Sequence, residues 1–192
     1  MSIIGIDSKY YSLEDNKLIF NNDFNESIDD VKLPDSLKEI QFGYYFNQPL
    51  ENVVFPESLK TIELGGYFNQ SLENVIFPES LQTIDFGENF NQPLEKVIFP
   101  KSLKEIKFGR YFKQPLEKVK WPDSLQKITF MNGNDLSFDN LPNTLEILEI
   151  YRLKNPLLNL PTGLKELIIE NTEEEIINEC KIPYGCEIKK ID

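Results

Sequence analysis

Five acidic residues recur along this chain at one fixed interval: Asp29, Glu51, Glu73, Glu95 and Glu117. Paired carboxylates can run glycosidase chemistry or hold a divalent cation. Here the recurrence comes from repetition of a whole sequence unit. Lysines interleave with it in the later copies, at Lys96 and Lys118, so a solvated flank is expected. A second column, Asn25, Asn47, Asn69 and Asn91, keeps the same interval. It is expected to form a structural ladder of buried amides, each satisfying backbone groups of its turn. Asn25-Glu26-Ser27 and Asn69-Gln70-Ser71 also fit the N-glycosylation pattern, which buried asparagines in a cytosolic chain would leave idle. Two cysteines, Cys180 and Cys186, lack the further ligands a zinc site needs and the base a nucleophile needs. They read as buried structural thiols.

Composition narrows the chemistry further. The 192 residues carry 20 Lys plus Arg, 32 Asp plus Glu and no histidine. Catalytic triads, His-ligated zinc and the commonest general base are therefore missing. No convergent set of acid, base and nucleophile emerges, so a carboxylate-based hydrolase is set aside in favour of a non-enzymatic protein without a cofactor. The net charge of −12 argues against nucleic acid and against anionic membranes as partners. It favours a protein partner with a basic patch. No window approaches ~20 apolar residues, no secretory leader is recognisable, and two cysteines build no disulfide framework. A cytoplasmic location is the expectation. The length suits one domain, 1–192.

The elements that position these columns follow from an internal repeat. Its units start at Leu33, Phe55, Phe77 and Phe99, with prolines at 34, 56, 78, 100 and 122, a step of 22 residues. The pattern then loosens, with later prolines at 142 and 161. In one unit, Leu37, Ile40 and Phe42 point inward from a strand while Glu39 and Gln41 point the other way. Gly43 is expected to turn the chain with an unusual φ, and Phe46, Leu50, Val53 and Phe55 return to the interior. Pro49 opposes a helix on the return path. Seven apolar positions per unit cannot close a core alone, so units must stack. The expected fold is mostly β: a leucine-rich-repeat-like, short-coil solenoid with one parallel sheet and capped ends. An N-terminal cap is placed at 1–24, repeats at 25–170 and a C-terminal cap at 171–192. Thr172-Glu173-Glu174-Glu175 reads as a capping box opening a short helix over about 173–180.

The recurring Pro-x-Ser-Leu-x-x-Ile-x-Phe-Gly-x-x-Phe-Asn-Gln-Pro-Leu resembles the FNIP repeat, a 22-residue relative of the leucine-rich repeat. The resemblance covers roughly residues 18 to 170. Gln48, Gln92 and Gln114 stand where the family name has isoleucine, Ser71 replaces the proline and Lys113 the asparagine. Similar proteins occur in amoebae and in large DNA viruses that infect them, which would place a viral member in the host cytoplasm. Many viral relatives carry an F-box, for which about two dozen residues before the first Phe-Asn are too few. The resemblance implies protein–protein interaction. Recognition of substrates for a ubiquitin-ligase assembly is the alternative, with the F-box on another chain.

Variation locates the candidate site. On the strand, Gln41, Glu63, Asp85 and Lys107 differ while the core positions beside them do not. Tyr45, Tyr67, Arg110 and Tyr111, with Tyr44, sit just past the strand. Tyrosine and arginine anchor interfaces, and tyrosines also stack across strands for stability; both readings stand. Binding is expected on this strand side, because Asn-Gln-Pro-Leu and Pro-Glu-Ser repeat almost unchanged on the return path.

Overall fold

A computed structural model describes residues 5–133 and 136–191; the first four positions of the predicted N-terminal cap lie outside them. Among the described residues, ten strands form one sheet whose order is their order in the chain. Strand β1 (Tyr11–Glu14) pairs antiparallel with β2 (Lys17–Phe20). Their hairpin turns on Asp15 and Asn16, both at positive φ, the backbone a two-residue hairpin requires. All later neighbours are parallel: β3 (Glu39–Gln41), β4 (Thr61–Glu63), β5 (Thr83–Asp85), β6 (Glu105–Phe108), β7 (Lys127–Phe130), β8 (Ile147–Tyr151), β9 (Glu166–Glu170) and β10 (Glu187–Ile191). The register joins Glu39, Thr61, Thr83, Glu105 and Lys127 in one row, the 22-residue column expected from the sequence. This is a mostly β, parallel-sheet solenoid.

The repeat stacks like upon like. Ile40, Ile62, Ile84, Ile106 and Ile128 are fully buried in register. Phe24, Phe46, Phe68, Phe90 and Phe112 form a second column with ring centroids 6.1 to 6.2 Å apart and near-parallel planes. Hydrogen-bonded strands stand only ~4.8 Å apart. Coils are therefore pitched wider behind the sheet than at it, and the sheet lines the inner wall of a curve. Serine hydroxyls tie the coils together: Ser58, Ser80, Ser102 and Ser124 each donate to the carbonyl of the leucine one coil earlier, at 2.6 Å.

Three local expectations are corrected. Within the column Gly43, Gly65, Gly87 and Gly109, only Gly87 has a positive φ. Close approach is the general reason for glycine: a Cβ on Gly65 would fall on the carbonyl oxygen of Gly43, and one on Gly109 on that of Gly87. The C-terminal helix, α1, spans Glu174–Glu179 with Glu173 at its N-cap and no side-chain capping bond. Thr172 is not its cap, because its hydroxyl accepts the Leu153 amide at 3.0 Å and donates to the Glu170 carbonyl. The cysteines are half-buried rather than buried. Cys180 Sγ accepts the Leu157 amide and donates to the Ile176 carbonyl.

Candidate functional site

The strand ends and the turns beyond them enclose a groove of about 390 Å3. Glycines make its floor, Gly65, Gly87 and Gly109, because each coil's backbone lies directly on the next. Gln41, Glu63, Asp85 and Lys107 line one wall, with Tyr44, Glu88 and Arg110 on the other. Four of the strand positions and Arg110, picked from the sequence, thus share one cleft. Tyr45, Tyr67 and Tyr111 stand outside it on the rim, each about half exposed at 50%, 50% and 52%.

The tyrosines are not equivalent. Tyr44 packs edge-on to Tyr45 and Tyr67 at 5.2 and 5.3 Å, and Tyr45 lies 5.4 Å from Tyr67. The Tyr44 ring occupies the space a Cβ on Gly66 would need. Desolvation, then the Glu88 charge, hold the Tyr44 phenol above its ordinary pKa. Tyr111 sits away from this cluster.

Charges on the inner wall pair with charges on strands one or two places away. Lys107 meets Asp85 at 2.8 Å, and Lys17 meets Glu39 at 3.3 Å and Glu63 at 4.0 Å. Lys127 lies between Glu105 and Glu149, at 3.2 and 3.6 Å. Burial works against the Lys127 charge, but hydrogen bonding to Glu105 and both carboxylate charges outweigh it and raise its pKa. Asp85 uses both carboxylate oxygens internally, since its Oδ1 also accepts the Gly87 amide at 2.9 Å. It is therefore a held residue. Arg110 has no ion-pair partner among the described residues.

The asparagine column works between coils. Asn25, Asn47, Asn69 and Asn91 each accept, through Oδ1, the amide of the residue one coil later, at 2.8 to 2.9 Å. These side chains are exposed or half-buried, not buried, and they do not satisfy their own turn. The sequence reading missed the glutamines that complete the row. Gln48, Gln70, Gln92 and Gln114 each donate back to the asparagine Oδ1 of the preceding coil. Their own 22-residue recurrence, directly after Asn47, Asn69 and Asn91, was the available signal. Lys113, which replaces the asparagine in its coil, still donates its amide to Asn91.

The other candidates do not converge. In the acidic stripe, Asp29 is half-buried and the glutamates are exposed. Glu73 pairs with Lys96 at 2.8 Å. Among the described residues, no group of three or more His, Cys, Asp or Glu could hold a metal ion. Desolvation and the Glu166 charge raise the Cys186 pKa, which disfavours the thiolate a nucleophile needs. No helix among the described residues is long and apolar enough to cross a membrane.

A family profile described as FNIP Repeat matches residues 16–45, 46–89 and 90–133. No curated protein matches the chain. Among solved structures, the crystal structure of CroV588, described as a novel circular LRR protein structure, is 31% identical with a TM-score of 0.66. The match covers 88% of this chain and 29% of that one. The chain thus spans under a third of the length of the solved protein it matches.

Proposed function

The chain belongs to the FNIP-repeat family, and from that premise we propose that it is a non-enzymatic interaction module whose strand-side groove binds a protein partner. Solenoids of this kind present extended surfaces that commonly mediate protein interactions. One observation carries the reading: the positions that vary from unit to unit come together as one cleft, with Arg110, which has no ion-pair partner among the described residues, in its wall and half-exposed tyrosines on its rim. The floor is backbone held by coil stacking, so a ligand meets a surface that is already ordered, which lowers the entropic cost of binding. Glu63, Glu88 and Arg110 give the cleft both signs of charge. A partner segment with a basic residue over β4 and β5 and an acidic one beyond β6 suits it.

Capture from a lysate of the natural host, followed by binary affinity measurement, tests this. A partner should be lost by about fivefold or more in Tyr67→Ala or Arg110→Ala if these are anchors. It should survive Glu79→Ala and Lys101→Ala on the return path. A partner kept by the first pair and lost by the second would move the site to the opposite side.

A further inference from the structure

Val54, Ile76 and Ile98 are each 80% exposed. They lie at the same place in three successive coils, on the extended segment of the return path. Their chain neighbours alternate with them: Val53, Val75 and Val97, then Phe55, Phe77 and Phe99, are buried. The outward residue in each coil could be polar at no cost to the core. A single exposed isoleucine is ordinary. Three stacked β-branched side chains make a continuous patch of roughly 300–400 Å2, as large as the largest apolar patch of a typical monomer, which is often functional. Lys32 and Lys120 occupy the same column one coil before and one coil after it, so the stripe has defined ends.

Carboxylates border the stripe on both sides. Three residues before each apolar position stands a glutamate, Glu51, Glu73 or Glu95, and three after stand Glu57, Glu79 or Lys101. All are exposed. Among these described glutamates, Glu73 alone forms an ion pair. The turns that carry them, closed by Val53 to Leu50 and by Leu59 to Pro56 hydrogen bonds, bound the facet.

We propose that this return facet is a second docking surface, and that it takes a basic amphipathic segment of a partner protein. Apolar side chains of that segment cover Val54, Ile76 and Ile98, and its lysines or arginines meet the flanking glutamates. A second copy of the chain fits less well. A two-fold axis across the coils through Ile76 sets Glu73 against Glu73 and Glu79 against Glu79. An axis along the stack sets Glu73 against Glu79. Either arrangement opposes like charges at the centre of the facet, which is destabilising, and leaves only Lys101 at its end against a glutamate. The surface stands apart from the groove and does not depend on that reading.

Fluorescence anisotropy with the full chain tests it, using a labelled synthetic amphipathic helix of leucine and lysine and its leucine–glutamate counterpart. The leucine–lysine probe should bind, more weakly as salt rises, and the leucine–glutamate probe should not. Val54→Thr, Ile76→Thr and Ile98→Thr together keep β-branched residues in the extended segment and should weaken binding about tenfold or more. Glu57→Lys with Glu79→Lys should do likewise without touching the apolar stripe, while Tyr67→Ala leaves binding unchanged. Equal binding to the threonine variant, or equal binding of both probes, overturns the proposal. So does a dimer in sedimentation velocity that the threonine variant dissociates, which would assign the facet to a second copy.

Discussion

The two sides of the coil handle charge in opposite ways. On the strand side, Lys17 meets Glu39, Lys107 meets Asp85, and Lys127 bridges Glu105 and Glu149. On the return side Glu51, Glu73, Glu95 and Glu117 follow one another in register, with Lys96 on Glu73 as the ion pair there. One geometric rule produces both outcomes. Translation by one coil lays each position against its own copy. Where the repeat is faithful, identical residues stack, which suits phenylalanine and asparagine and penalises glutamate. Where the repeat varies, neighbouring coils can carry complementary residues. The varied strand face neutralises itself and leaves a shaped cleft. The faithful return face keeps a largely unpaired acidic border around an apolar stripe.

The largest test breaks both sides at once, because they share a core. Phe90 is fully buried and stacks on Phe68, Phe86 and Phe112. Phe90→Ala should cost ~3–5 kcal/mol in urea unfolding, and both surfaces should fail together near the midpoint. A second test separates the sides. Gly65→Ala forces a Cβ onto the Gly43 carbonyl beneath the groove and should destabilise by ~1–3 kcal/mol. Ile76→Thr on the outer facet should stay within ~0.5 kcal/mol. Equal losses would mean that the facet is as tightly constrained as the groove floor.

The ladder is expected to matter less than the core. Asn69→Ala removes the acceptor for the Asn91 amide and for Gln92. Its exposure limits the cost to ~1 kcal/mol, below what buried amides would have implied. The smallest effects should differ in sign. Lys107→Gln, on the paired face, should lower stability by a few tenths of a kcal/mol, about what an exposed pair contributes. Glu95→Gln relieves repulsion in the return column and should raise stability by a similar amount, ~0.2–0.5 kcal/mol. Added salt should shrink both differences, and thermal melts at low and high ionic strength would show a failure of either sign.

Much of this is legible in the sequence. The 22-residue period placed the parallel strands, the buried rows of isoleucine and phenylalanine and the variable positions around the groove. What escaped was contact between coils at the level of atoms. Gly43 looked like a turn residue, yet its role is to let a neighbouring backbone approach. Thr172 looked like a helix cap, yet the Leu153 amide takes its hydroxyl. The β1–β2 hairpin was missed although Asp15-Asn16 between two short apolar-patterned runs announces a tight turn.

The amino-acid sequence by itself determined that this chain stacks, with what period and with which residues inside. An apolar set too small to close a core in one unit leaves stacking as the way to bury it. Only the tertiary structure decided which polar groups meet. Bonds such as Asn47 to Asn69, Ser80 to Leu59 and Lys107 to Asp85 cross from one coil to the next. Their partners are about 22 positions apart in the chain, and coil pitch and side-chain reach determine which of them touch. The same holds for the outer surface. Val54, Ile76 and Ile98 sit among apolar neighbours in the sequence, and it is the direction of the extended return segment that turns them to solvent.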